Sequence, residues 1–373
     1  MKRIVLKGLV FALLLSSITT KAIHQPKEKN QTIKVALLLD TSNSMDGLIN
    51  QAKAQLWEIV NELSFAKYGM QKPNLEIALY EYGNSNLSSR EGYIRQVLQF
   101  SNDLDEISEK LFSLTTNGGN EFCGQVIQTS LNELDWGKNK NDLKLLFIAG
   151  NEPFTQGRIN YKEAVAQAKE KDVIVNTIFC GNYTNGISGM WKDGADLGGG
   201  DYMTINQDEK IVHIITPYDN EIIILNKKLN ATYIYYGNKG AVKYEMQKEQ
   251  DSNAYEMQEA VAVKRTITKS SRLYDNSSWD LVDADKKGKV NYKTIEKNKL
   301  PKHLQDKTEA EIKKYVATKA KEREAIQQQI KALDVKRRAF IAEKQKENAS
   351  KKDLNNVMIQ AIKKQARSKN YEW

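Results

Sequence analysis

An apolar run from Ile33 to Leu39 ends in Asp40-Thr41-Ser42-Asn43-Ser44, after which apolar residues recur at Met45, Leu48, Ile49, Ala52, Leu56, Val60 and Leu63. The first stretch reads as a buried strand, and the second follows the 3.6-residue period of an amphipathic helix. A buried strand feeding such a helix is the unit of an α/β chain, in which a mostly parallel sheet is covered by helices on both faces. The unit recurs. Strand candidates Leu75 to Tyr82, Tyr93 to Phe100, Leu143 to Ala149, Val173 to Cys180 and Asp201 to Ile205 alternate with helical stretches Leu104 to Leu114, Cys123 to Leu134, Tyr161 to Lys171 and Asp219 to Tyr236. Tyr93 to Phe100 is short enough for an edge or antiparallel partner. Sheets of this doubly wound kind bind ligands beyond the carboxyl ends of their strands, which is where Asp40 to Ser44 falls.

Beyond Gly240 the chain turns polar, with helical composition to about Ser270 and an irregular stretch around Tyr274 to Trp279. Residues 237–300 read as a polar connector and 301–373 as a basic helical extension. Thr308 and Glu311 form a capping box, and Ile312, Val316, Lys319, Arg323, Ile326, Ile330, Leu333, Arg337 and Phe340 trace a partly apolar, coiled-coil-like stripe. That stripe can pack on the rest of the chain or serve self-association. A second helix is expected from Leu354 to Ala366.

The formal charge is +9, yet residues 301–373 carry 19 Lys and Arg against 10 Asp and Glu, leaving the first 300 residues balanced at 37 against 37. The basic excess therefore belongs to the tail, which argues against nucleic acid as a partner of the α/β domain. With only 3 His and 2 Cys, a multi-ligand zinc site is not expected. Lys2 and Arg3, the apolar Leu9 to Leu15 and Thr20-Lys21-Ala22 have the layout of an export signal, residues 1–22, cleaved after Ala22. No later segment is apolar for the ~20 residues that a membrane span needs. The mature chain is expected to be exported, periplasmic or secreted, in a compartment that permits a disulfide.

In Asp40-Thr41-Ser42-Asn43-Ser44 a carboxylate and two hydroxyls stand at alternate positions of a strand-to-helix turn. Hard divalent cations prefer oxygen ligands, so Asp40, Ser42 and Ser44 can supply one face of a coordination shell; the alternative is helix capping alone. This loop, with Val35 to Leu39 before it, resembles the first-strand motif Asp-x-Ser-x-Ser of the von Willebrand factor type A domain family. The order of elements over residues 31–236, Gly118-Gly119 before a helix and Leu145 to Ala149 as the fourth strand extend the likeness. The resemblance implies a doubly wound sheet with one antiparallel edge strand. It also implies a Mg or Ca ion whose shell is completed by an acidic group of a protein partner, and no catalysis.

The other two metal loops depart from the family pattern. Asn120 follows Gly118-Gly119 where the family has threonine, with Glu121 next, and Gly150-Asn151-Glu152 stands where the family has Asp-Gly. The second carboxylate is thus missing, with Asn120, Glu121, Asn151 and Glu152 as candidate oxygen donors around the gap. A metal-free pocket is the alternative. Cys123 and Cys180 are both expected on the rim of this site, either bonded to each other or as two buried thiols. No nucleophile elbow, paired-histidine helix or phosphate loop occurs. Asp283 to Gly288 starts like a calcium loop, but Lys287 and Thr294 occupy ligand positions, so a polar turn is expected there.

Three functions remain open from sequence. The first is an exported binding, scaffolding or adhesion-type protein that recognises a protein or cell-envelope ligand. The second is an envelope hydrolase or enzyme subunit using Asp40, Glu121 and Glu152. The third is a metal-free coiled-coil scaffold.

Overall fold

The computed structural model describes residues 31–206, 213–347 and 354–373; the segment read as an export signal lies outside them. The first half runs β1 (Thr32–Asp40), α1 (Asp46–Leu63), β2 (Lys67–Tyr68), β3 (Asn74–Tyr82), β4 (Ile94–Ser101), α2 (Leu104–Phe112), α3 (Cys123–Glu133) and β5 (Leu143–Gly150). It continues through α4 (Tyr161–Glu170), β6 (Ile174–Cys180), α5 (Tyr183–Ser188), α6 (Trp191–Leu197) and β7 (Gly199–Ile205). The second half is α7 (Asp219–Asn230), α8 (Gly240–Met257), α9 (Glu259–Lys269), α10 (Leu281–Lys286), α11 (Lys302–Gln305), α12 (Glu309–Glu347), α13 (Leu354–Arg367) and β8 (Tyr371–Glu372).

Six strands form one sheet in the order β4-β3-β1-β5-β6-β7, parallel throughout except for β4 against β3. The expected antiparallel edge strand is therefore present. Successive residues of a strand face opposite sides, and β1 feeds two cores accordingly. Ile33, Val35, Leu37 and Leu39 pack with Leu48, Leu56 and Val60 of α1, whereas Ala36 and Leu38 pack with Val126 of α3 and Ala164 of α4. The chain leaves β1 for β3 on one side and later for β5 on the other, so the carboxyl end of β1 lies at the topological switch point.

The second half completes the first core. Leu225 and Leu229 of α7, Val261 and Ile267 of α9, Ile330 and Leu333 of α12, and Met358 and Ile362 of α13 all join it. At the chain end Tyr371 of β8 pairs antiparallel with Tyr68 of β2. Of the two uses that the sequence left open for the stripe, packing on the rest of the chain is the one seen, because the face of the sheet beside α1 needs apolar cover. Ile312 and Val316 fill a third core with Ile234, Leu281 and Leu304. The capping box forms as expected, with Thr308 N–H donating to Glu311 Oε2 at 2.8 Å.

Two cationic positions of the stripe are anchors. Arg323, buried, reaches Asp280 Oδ2 at 2.5 Å, Asp283 Oδ1 at 2.7 Å and Thr232 O at 2.8 Å, and stacks over Tyr233. Asp283, which opens the calcium-like run, is thus an ion-pair partner of Arg323, and the run forms the end of α10 rather than the polar turn expected, its helix capped by Asp280, which accepts from Asp283 N–H. Arg337 pairs with Asp219 at 3.0 Å. Deeper still, Arg265 pairs with Asp105 and Asp251 while its guanidinium lies 4.8 Å from the Trp57 ring, and Lys269 also pairs with Asp251. The helix expected to reach Tyr236 stops at Asn230, which frees Ile234 N–H to donate to Asp280 Oδ1 and Tyr235 to bridge to Asp280.

Removing one partner of a buried ion pair strands the other charge. Arg323→Ala is expected to cost about 3–5 kcal/mol in urea denaturation. Arg338→Ala, on a half-exposed arginine, should cost about 1 kcal/mol or less.

Candidate functional site

The loop after β1 holds its ligand-type side chains through its own backbone. Ser42 N–H donates to Asp40 Oδ1 at 2.7 Å, Ser42 and Ser44 hydroxyls lie 3.4 Å apart, and Asn151 Nδ2 donates to Ser44 Oγ at 3.0 Å. Asp40 is fully buried, and Glu121, from the loop before α3, is 4% exposed. Glu121 N–H donates to Gln156 Oε1 at 2.6 Å, which ties that loop to the one after β5. Asp40, Ser42, Ser44, Glu121 and Asn151 are therefore brought together from three loops. Asn120 and Glu152 are exposed on the rim, and Glu152 engages the fold through its main-chain oxygen, which accepts the Trp191 indole N–H at 2.8 Å.

Asp40 Oδ2, Glu121 Oε2 and Asn151 Oδ1 are buried oxygens without a hydrogen-bond partner. Burial without a partner is costly for such atoms. Their convergence beside two hydroxyls matches the oxygen-only shell of a hard dication, although among the described residues no three Asp, Glu, His or Cys side chains are grouped as metal ligands. Two carboxyls, two hydroxyls and an amide oxygen make the available donor set.

Burial raises both carboxyls. Asp40 rises to about 6, an effect opposed by hydrogen bonds from Ser42 and Glu121, and Glu121 rises to about 9 through burial and the adjacent Asp40 charge. The nearby Glu152 charge raises both further.

There is little room for a side chain at Gly150. A Cβ at Gly150 would lie 2.5 Å from Tyr82 Oη, 3.1 Å from Asp40 Oδ2 and 3.2 Å from Trp191 Cη2. Tyr82 is fully buried, its hydroxyl donating to Ala149 O at 2.9 Å, with the Cys123 thiol 3.8 Å away. Tyr82, Trp191 and Gln156 are site residues that sequence reasoning missed. The position of Tyr82 at the end of β3, level with Asp40 at the end of β1, was the available signal.

Of the two alternatives open for Cys123 and Cys180, the structure has the second: both thiols are free and buried. Cys123 lies in the core on the α3 side of the sheet and Cys180 in the core on the α1 side, so the sheet itself separates them. In each case burial pushes the thiol well above its ordinary value.

Residues 34–186 match the sequence model of the von Willebrand factor type A domain. This stretch is a von Willebrand factor type A domain. Members of that family are generally protein-interaction modules without catalytic activity. Solved structures similar to the chain include the conserved hypothetical protein BatB from Bacteroides thetaiotaomicron, at 17% identity and TM-score 0.35, covering 46% of this chain and 90% of that one. An aerotolerance-related membrane protein from Bacteroides fragilis shows 15% identity and TM-score 0.32 over 47% and 93%. A von Willebrand factor type A protein from Catenulispora acidiphila shows 14% identity and TM-score 0.36 over 47% and 39%. No curated protein matches the chain significantly.

Two outcomes follow from the packing and charge of the type A site. Gly150→Ala should destabilise the protein by about 1–3 kcal/mol, as over-packing does, and the double variant with Tyr82→Phe should lose less than the two single losses together. The folded chain binds protons at Asp40 and Glu121 more tightly than the unfolded chain does. Stability from this pair is thus complete below the ordinary carboxyl range and is lost as pH rises through about 9. In thermal melts at pH 6 to 9 without divalent cations, Glu121→Gln should flatten the downward slope shown by the natural chain.

Proposed function

We propose that this chain is an exported binding protein whose type A domain engages a protein or cell-envelope partner through a Mg or Ca ion. The ion is held by Asp40, Ser42 and Ser44 together with oxygens of the neighbouring loops. The observation that carries this reading is the pair of partnerless oxygens, Asp40 Oδ2 and Asn151 Oδ1, beside the Ser42 and Ser44 hydroxyls. A hard cation satisfies such atoms and leaves coordination positions for an acidic group of the partner, the mode of recognition that the family resemblance implies.

Export is supported by Lys2, Arg3 and the apolar Leu9 to Leu15, and no described helix is long and apolar enough to cross a membrane. The exposed position of Glu152 favours binding over a hydrolytic cluster of three carboxyls. The C-terminal stripe is occupied within the fold, which directs partner recognition to the loop face.

Calorimetric titration of the chain from residue 23 with Mg, Ca and Mn tests the reading. Saturable uptake by the natural chain, weakened at least about tenfold in Asp40→Ala, is expected. Absence of uptake by the natural chain removes the cation from the mechanism.

A further inference from the structure

The family pattern places an aspartate where Gly150 stands, and Glu152, two residues on, is the nearest acid in sequence. The acid that packs against Asp40 is another. Glu152 is exposed and uses its main chain to hold Trp191, whereas Glu121 is 4% exposed and comes from a different loop. The two buried carboxyls crowd one point above the backbone: a Cβ at Gly83 would lie 2.7 Å from Glu121 Cγ and 2.8 Å from Asp40 Oδ1. Gly83 has φ +82°, a conformation that glycine adopts without strain, so the chain leaves β3 in the one way that opens this space. Each carboxyl retains one buried oxygen without a hydrogen-bond partner, Asp40 Oδ2 and Glu121 Oε2.

We infer that Glu121 is the second carboxylate ligand of the cation site, entering from the loop before α3, and that Tyr82 excludes the ligand found in the family by filling the space beside Gly150. The inference rests on the cation-binding reading proposed above and assigns the ligand that reading leaves open. It also explains why glycine stands at position 150: with the Tyr82 hydroxyl 2.5 Å from any Cβ there, a longer side chain has no room, and the charge it would bring arrives across the site instead.

Mn titration by calorimetry, on variants whose fold is checked by circular dichroism, tests the assignment. Glu121→Gln keeps size and hydrogen bonding but removes the charge, and is expected to weaken Mn at least about tenfold. Glu121→Asp keeps the charge on a shorter arm and should fall between that variant and the natural chain. Glu152→Gln should stay within about twofold of the natural chain, in line with a rim charge. Mn binding that survives Glu121→Gln, or that is lost in Glu152→Gln, overturns the assignment while leaving the cation site in place. Absence of Mn binding in the natural chain overturns the cation reading and this assignment with it. Gly150→Asp added to Glu121→Gln should leave binding weak, because Tyr82 holds the space; recovery by that addition overturns the role given to Tyr82.

Discussion

A parallel sheet with two apolar faces is unstable in water until both are covered, and this constraint organises the whole chain. On one face the cover is local: α3 and α4, each close in sequence to the strands it protects, pack on Ala36, Leu38, Leu146 and Ile148. On the other face α1 is too narrow to suffice. The remaining area is covered by side chains as distant as Leu225, Val261, Ile330 and Ile362. The helices beyond residue 213 are therefore part of the roof of the α/β domain, and the chain end is pinned beside it by Tyr371 and Tyr68, whose rings meet edge to face at 5.2 Å.

Covering a core with polar, basic helices has an electrostatic consequence. Cations carried into the interface need partners there, since an isolated buried charge is far more costly than a paired one. Arg265 and Lys269 meet Asp105 and Asp251; Arg323 meets Asp280 and Asp283; Arg337 meets Asp219. Burial alone would raise Asp251, yet Lys269 and Arg265 hold it well below the usual carboxylate range. These contacts fix which turn of α12 lies over which part of the domain, a choice that the sparse apolar stripe would leave loose. Peripheral pairs such as Lys364 with Asp201 add little beside them.

With the sheet held from both sides, the carboxyl ends of β1, β3 and β5 become a rigid platform from which polar groups rise into a tight space. Tyr82 and Trp191 wall that space, and Asp40 and Glu121 are buried close together inside it, where burial raises both carboxyls. The carboxyl pair is thus held in a high-energy arrangement by its surroundings rather than by its own attraction. A hard dication is the kind of group that such a set of buried oxygens would accommodate, the basis of the cation-binding proposal.

The alternation of apolar periods in residues 33–205 determined the doubly wound fold by itself, because a buried parallel strand and an amphipathic helix have patterns that water enforces locally. Asp40, Ser42 and Ser44 were legible for the same reason: they are adjacent in the chain and one turn presents all three. What lay far apart in sequence was not legible. The stripe of α12 shows that some surface must cover it, but not which, since apolar burial is non-directional. The cysteines carry no sign of the sheet between them, and no pattern around Tyr82 announces that its hydroxyl fills the space at Gly150. Only the tertiary structure decided that Glu121 and not Glu152 faces Asp40, because closeness across three loops depends on how the strands are ordered and where each one stops.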